Sequence, residues 1–204
     1  MLFYTVCRAL AWPLLHGLFA VHCTGLQQTL PEGRLILCSN HQQVTDPPIL
    51  ACLFPRPIAY MAKSELFTDH GKAASFFLRH FGAFPVKRSQ ADTTSVKNAI
   101  SLLEEEQVVG IFPQGGCVKP GTPFRPKAGV ILLAEKTKAP ILPVWISYGE
   151  KRGLRQRVTV RFGKVLSFAS LQKGGGEQPT TRSMAAFLAE QMNQLGGVAV
   201  CKSQ

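Results

Sequence analysis

The chain has 204 residues, of which 46% are hydrophobic and 17% charged; this balance excludes a disordered polypeptide and allows one domain with a buried core. Its formal net charge of +11 favours anionic partners, namely nucleic acid, an anionic membrane surface or phosphorylated small molecules. The six cysteines show neither a Cys-x-x-Cys pair nor the spacing of zinc ligands. We therefore expect no metal site, and free thiols in a reducing compartment.

Residues 1–30 are predicted to be an N-terminal helical segment, separate from a domain over residues 31–204. Residues 9–31 carry no formal charge, and Ala9–Ala20 is strongly apolar. A spanning helix needs about 20 predominantly apolar residues, whereas Pro13 and several polar residues interrupt this run. We expect a helix that lies in the membrane interface without crossing it. An ordinary buried helix, and a secretory signal or spanning segment, are the alternatives.

The remaining elements follow from hydrophobic periodicity and from glycine and proline positions. Strands are predicted over Arg34–Ser39, Ile58–Met61, Gly82–Val86, Val108–Phe112, Ala139–Ser147 and Arg157–Phe162. Helices are predicted over Pro47–Leu53, Leu66–His80, Thr94–Glu106, Ala128–Thr137 and Thr181–Leu195, with a loop over Lys173–Gly176. This alternation predicts a single α/β domain whose central, mostly mixed sheet is flanked by helices.

The polar loop Asn40–Asp46 contains a histidine and an aspartate separated by four residues. On a regular helix His41 and Asp46 would point about 140° apart, but a turn can fold the carboxylate back onto the imidazole. Asp46 would then fix the tautomer while His41 takes a proton from a substrate hydroxyl. The alternative is structural: Asp46, which precedes two prolines, caps a helix and His41 satisfies the loop backbone.

Five segments occur in the order and spacing of a known family. They are a first block Asn40–Asp46, the segment Ala62–Phe67 that follows it, a second block Gly82–Arg88, a third block Phe112–Gly115, and a fourth region made of Phe124–Gly129 and Ala139–Val144. Together they resemble the glycerolipid acyltransferase family of phospholipid biosynthesis, which includes the 1-acylglycerol-3-phosphate acyltransferases. The resemblance runs from about Pro31 to about Val165 and includes the family's His-x4-Asp motif. It implies transfer of a fatty acyl group from acyl-CoA or acyl-carrier protein to a lysolipid hydroxyl, without a cofactor.

The resemblance also implies roles for individual residues. His41 would be the general base, Asp46 the residue that orients it, and Arg88 the ligand of the acceptor's phosphate. Guanidinium binds phosphate in a bidentate manner, and glycine lets backbone amides approach an anion. The further candidate substrate-binding residues are Lys63, Lys87, Gln114, Gly115, Gly116 and Lys127.

The third block departs from the family pattern. Gln114 replaces a glutamate, Gly116 a threonine, Cys117 an arginine and Val118 a serine. These changes weaken the inference that lysophosphatidic acid itself is the acceptor, and favour a lysophospholipid diester or another lipid alcohol. No histidine lies beside the cysteine in sequence, so we do not expect it to carry the acyl group.

Several positive charges allow more than one interpretation. Lys119, Arg125 and Lys127 could replace the missing anion contacts or could be solvated loop charges. The six basic residues between Lys151 and Lys164 form either a solvated strand face or a surface for acidic carrier protein and anionic lipid.

We expect an enzyme on the cytoplasmic face of an anionic membrane. No nucleic-acid partner is expected, because no stacking motif or recognition helix accompanies the charge. The second hypothesis is a catalytically silent lipid-binding or scaffold protein of the same fold.

Overall fold

The computed structural model describes residues 2–63, 68, 83–86 and 93–198. The helices are α1 Leu2–Leu18, α2 Asp46–Leu53, α3 Thr93–Glu104, α4 Gly129–Thr137, α5 Phe168–Gly174 and α6 Thr181–Gly196. The strands are β1 Phe19–Thr24, β2 Leu35–Ser39, β3 Ile58–Lys63, β4 Ala83–Val86, β5 Val108–Ile111, β6 Ile141–Arg152 and β7 Arg155–Phe162.

The strands form one seven-stranded sheet in the order β1-β7-β6-β2-β5-β3-β4. Neighbouring strands are parallel except β6 and β7, which form an antiparallel pair. The central strands β2 and β5 are buried along their whole length, as expected for short apolar strands with both faces covered. The predicted α/β fold with a mixed sheet is therefore confirmed.

Alternation along the strands divides the core into two layers. Leu35 and Leu37 point to the face that α1 and α2 cover, whereas Ile36 and Cys38 point to the face that α3, α4, α5 and α6 cover. All four side chains are completely buried. The helices on both faces leave the ends of the central strands as the place where loops can form a site.

The N-terminal segment differs from its prediction. The helix ends at Leu18, and Phe19–Thr24 pairs in parallel with β7 as an edge strand. Phe19 is buried and Val21 and Cys23 are half-buried, so these alternate residues face the core. Because the whole segment is uncharged, the sequence favours a single helical segment over this short period of two. Within the described residues, no helix combines the length and apolarity that a membrane crossing requires.

The loop predicted over Lys173–Gly176 is wrong at its start. Lys173 and Gly174 are instead the last two residues of α5. Ser167 caps that helix by accepting a hydrogen bond from the backbone N–H of Ser170, a signal that the sequence already contained. The helix predicted over Leu66–His80 lies outside the described residues apart from one threonine.

Candidate active site

Two loops predicted to carry chemistry leave the sheet at the same edge. β2 and β5 are adjacent and parallel, so their carboxyl ends lie side by side, and residues 40–45 and 112–118 follow directly. The backbone N–H of Val118 donates to the carbonyl oxygen of His41 over 2.8 Å. The loops are thus joined into one site.

Asn40 fixes the start of the first loop. The β2–β6 ladder ends where Ser39 pairs with Val144, and the Asn40 side chain then continues it. Its Nδ2 donates to the Ile146 carbonyl over 2.8 Å, and its Oδ1 accepts from the Ile146 N–H over 2.7 Å. Since Asn40 is buried, this two-point contact holds the neighbouring His41 in a defined place.

The imidazole of His41 and the carboxylate of Asp46 meet across a tight bend. His41 Nδ1 lies 2.8 Å from Asp46 Oδ2. The Asp46 side chain is completely buried, whereas that of His41 is 15% exposed. Because a carboxylate accepts hydrogen bonds, Nδ1 carries the proton and the Nε2 lone pair of the neutral ring is left for an incoming hydroxyl. The predicted pairing is thus present in the structure.

The capping alternative for Asp46 does not describe its contacts. Thr45 occupies the N-cap position of α2, with no side-chain capping hydrogen bond. The Asp46 carboxylate instead turns back, and Oδ2 accepts the backbone N–H groups of Gln42 and Gln43 over 2.6 and 2.9 Å. The same oxygen therefore closes the loop and engages the imidazole.

Tyr148 completes the surroundings of the carboxylate. Its hydroxyl donates to Asp46 Oδ1 over 2.5 Å, and the Thr45 hydroxyl lies 3.0 Å from the same phenol oxygen. Burial raises the pKa of Tyr148, and the negative charge of Asp46 raises it further. Tyr148 is not among the site residues that the sequence predicts. The one indication in the sequence is that Tyr148 directly follows the predicted strand Ala139–Ser147, at a strand end where sites form.

An aromatic stack supports the imidazole ring. The rings of His41 and Phe112 are 4.4 Å apart and inclined by 29°, and Tyr60 stacks on Phe112 at 6.0 Å. The hydroxyl of Tyr60 is buried and has no hydrogen-bond partner among the described residues. This stack restricts the imidazole plane while Asp46 restricts its rotation.

The third block forms a glycine turn beside the histidine. Gly115 has φ +84°, in the left-handed region that favours glycine, and its N–H donates to the Phe112 carbonyl over 3.1 Å. A Cβ built on Gly115 would lie 2.9 Å from Lys127 Nζ, so the ammonium group covers the turn. Gln114 and Gly116 are half-buried, and Gln114 Oε1 lacks a partner among the described residues.

The other candidate binding residues are less completely defined. Lys63 is the last residue of β3, which is parallel to β5, so its backbone reaches the same edge of the sheet. Lys87 and Arg88 follow β4 directly and lie outside the described residues. Arg125 is exposed and lines a groove beside α6. In the described part of the chain, no cluster of three His, Cys, Asp or Glu side chains could hold a metal ion.

Comparisons with known proteins point to one family. A family model described as Acyltransferase matches residues 20–147. The 1-acyl-sn-glycerol-3-phosphate acyltransferase of Bacillus subtilis is 36% identical over 119 residues, which are 57% of this chain and 58% of that protein. The Streptococcus pneumoniae protein of the same name is 29% identical over 184 residues, covering 86% of this chain and 67% of the relative. The chain thus spans little more than half of the Bacillus relative.

A solved structure shows the same fold. The 1-acyl-sn-glycerophosphate (LPA) acyltransferase PlsC from Thermotoga maritima superimposes with a TM-score of 0.71 at 18% sequence identity. The superposition covers 97% of this chain and 78% of that one. At this identity the likeness concerns the fold, including the mixed sheet whose edge carries the His41–Asp46 pair.

Proposed function

The chain belongs to the Acyltransferase family, and on this premise we propose that it is an O-acyltransferase acting on a lysolipid. The acyl donor is a thioester, acyl-CoA or acyl-carrier protein, and the acceptor belongs to the class of 1-acyl-sn-glycerol-3-phosphate. The observation that carries the proposal is the His41–Asp46 hydrogen bond, which directs Nδ1 inward and leaves Nε2 for the acceptor. No nucleophilic side chain is needed, because the lipid supplies the attacking oxygen.

The proposed reaction uses His41 twice. The acceptor hydroxyl binds to Nε2 and attacks the thioester carbonyl carbon while its proton passes to the imidazole. Asp46 stabilises the imidazolium that forms. When the tetrahedral intermediate collapses, the carbon–sulfur bond breaks, and the leaving thiolate takes the proton from Nε2. The products are an ester and a free thiol. General-base catalysis of this kind contributes about 10²–10⁴-fold.

The glycine turn of the third block is the proposed binding site for the acceptor's head group. The Lys127 ammonium lies over Gly115, close to the loop that is bonded to His41. A cation above a glycine turn suits a phosphate, because it adds charge where the backbone is accessible. Gln114 supplies an amide where the family has a carboxylate. On the resemblance, Arg88 and Lys87 complete the phosphate contacts and Lys63 contributes from the end of β3.

Contact with an anionic membrane surface is also proposed, through the outer side of α1. Val6, Leu10, Leu14 and Leu18 follow one another at helical spacing and are 48%, 71%, 66% and 52% exposed. Trp12 is also exposed. A row of exposed large apolar side chains on an uncharged helical face is typical of interfacial helices. It supports binding in the plane of the membrane.

A basic depression lies at the end of the same helix. It has a volume of 440 Å³ and is lined by His16, His22, Arg155, Arg157 and smaller residues of β1 and β7. No acidic residue is among those that line it. Positive charge beside an apolar helix attracts anionic lipid head groups, which supports the proposed membrane partner.

The proposal is tested with purified protein, radiolabelled acyl-CoA or acyl-carrier protein, and a panel of lysolipids in mixed micelles. Formation of a diacyl lipid with stoichiometric release of thiol supports it. Vesicle binding without turnover for any acceptor would instead support the silent scaffold suggested by the altered third block. Comparing phosphomonoester with phosphodiester acceptors in wild-type and Gln114→Glu protein tests the head group. We expect Gln114→Glu to shift preference toward the phosphomonoester.

A further inference from the structure

The Asp46 carboxylate is held from two sides. Oδ2 faces three donors, the His41 ring and the two backbone N–H groups of Gln42 and Gln43. Oδ1 faces the Tyr148 hydroxyl, its one hydrogen-bond donor among the described residues. Because Asp46 has no solvent-exposed surface, the phenol is what satisfies the second oxygen.

The phenol comes from a rigid part of the fold. Tyr148 lies on β6, in register with Val158 of β7 and immediately before the irregularity in that pair. Thr45, the residue before Asp46, has its hydroxyl 3.0 Å from the phenol oxygen. Since the phenol hydrogen goes to the carboxylate, the Thr45 hydroxyl is the donor in that second contact. Tyr148 therefore connects the catalytic loop to the sheet at two points.

We propose that Tyr148 is a positioning residue for acyl transfer, which holds the Asp46 carboxylate so that Oδ2 faces His41 Nδ1. It acts through Asp46 and need not touch either substrate. The raised pKa of its hydroxyl, due first to burial and then to the Asp46 charge, keeps it a protonated donor at physiological pH. Without this donor the buried carboxylate can turn, and the imidazole loses its fixed tautomer. The inference rests on the proposed function for its kinetic consequence.

Tyr148→Phe removes the hydroxyl and keeps the ring. We expect kcat to fall about tenfold, the size of one lost hydrogen bond to a charged group, while KM for donor and acceptor stays within about twofold. Tyr4→Phe is the matched control. It removes a buried hydroxyl that donates to the Ala51 carbonyl over 3.3 Å, in the contact between α1 and α2 and outside the site, so kcat should be unchanged.

A second measurement does not depend on turnover. The ¹⁵N resonances of His41, assigned by their loss in His41→Ala, report which ring nitrogen carries the proton. In the wild type and in Tyr4→Phe we expect the pattern of a fixed Nδ1–H tautomer. In Tyr148→Phe the ¹⁵N chemical shifts of Nδ1 and Nε2 should move toward each other, as they do when the two neutral tautomers interconvert.

The two readouts separate this inference from the proposed function. Absence of acyl transfer by the wild type would defeat the proposed function, yet the resonances would still test the role of Tyr148. Unchanged His41 resonances in Tyr148→Phe would overturn the inference, as would a rise in KM with kcat unaltered. Equal losses of kcat in Tyr148→Phe and Tyr4→Phe would show a general packing effect and would also overturn it.

Discussion

His41 Nδ1 and Asp46 Oδ2 lie 2.8 Å apart although the residues are five positions apart in a loop that precedes a helix. The contact exists because the chain turns at Gln43, whose carbonyl accepts the Asp46 N–H over 3.0 Å, and because the carboxylate also binds two loop amides. The loop geometry therefore sets both the orientation of the imidazole and the identity of its free nitrogen.

Replacing Asp46 by asparagine should nearly abolish turnover. The amide cannot stabilise an imidazolium and does not hold Nδ1–H in the same tautomer, so we expect kcat to fall by roughly 10²–10⁴-fold, the full contribution of general-base catalysis. The measurement is initial-rate thiol release, with a thermal melt to show that the variant is folded. A folded Asp46→Asn protein that keeps more than a tenth of wild-type kcat would refute the role assigned to the carboxylate.

The pH profile should be one-sided over the accessible range. An imidazole that already carries a proton on Nε2 cannot accept the hydroxyl proton, so kcat/KM should fall toward low pH. At the alkaline end the Tyr148 pKa is raised above its ordinary value near 10, so its hydroxyl stays protonated up to about pH 10. Measuring kcat/KM from pH 5 to 10 with a short-chain soluble acceptor checks both the expected fall at low pH and the absence of a fall at high pH. A profile that is flat on the acid side would contradict general-base catalysis by His41.

Gly115→Ala should weaken both acceptor binding and the fold. The new methyl group strains a backbone at φ +84° and meets Lys127 Nζ at 2.9 Å, so the ammonium must move. We expect a loss of about 1–2 kcal/mol in unfolding free energy and a several-fold rise in acceptor KM. Gly153→Ala is the control, with φ +62° and open space around the new atom. Equal acceptor KM in the two variants would show that Lys127 does not contribute to binding of the head group.

The exposed face of α1 predicts a mutational effect on vesicle binding. Leu10→Asp and Leu14→Asp each remove one large apolar side chain from the proposed membrane contact. Burying a leucine stabilises binding by about 1.5–3 kcal/mol, so partitioning onto anionic vesicles should weaken roughly 10- to 100-fold. Leu132→Asp, at an exposed position on α4, is the matched control in the same sedimentation assay. Equal effects at all three positions would show that α1 has no special role in binding.

The sequence predicts the His41–Asp46 pair because both partners lie in one short loop. It also predicts the edge at which the 112–118 loop meets them, since parallel neighbouring strands end together. It does not predict that Asn40 and Asp46 bind residues of β6. Their partners Ile146 and Tyr148 are 106 and 102 residues away in the chain, respectively. Such contacts depend on the exact register between strands, which hydrophobic alternation alone does not determine.

The N-terminal segment shows a second limit. The absence of charge favours a membrane-associated helix. The alternation in Phe19–Thr24 covers only six residues, which is too short to predict a strand against that evidence. The strand forms because β7 offers a free edge whose inward residues, Val158 and Val160, continue the same core. Tertiary pairing, which a local pattern does not contain, decided the outcome.

His41 is proposed to remove the proton from a lysolipid hydroxyl. This role is tested most directly by thiol release from acyl-CoA or acyl-carrier protein with a lysophosphatidic acid acceptor, comparing wild type, His41→Ala and His22→Ala. We predict wild-type kcat in His22→Ala, because this imidazole lies in the basic depression and takes no part in the proton transfer. We predict a loss of at least about 10²-fold in His41→Ala. Wild-type turnover by a folded His41→Ala protein would contradict it.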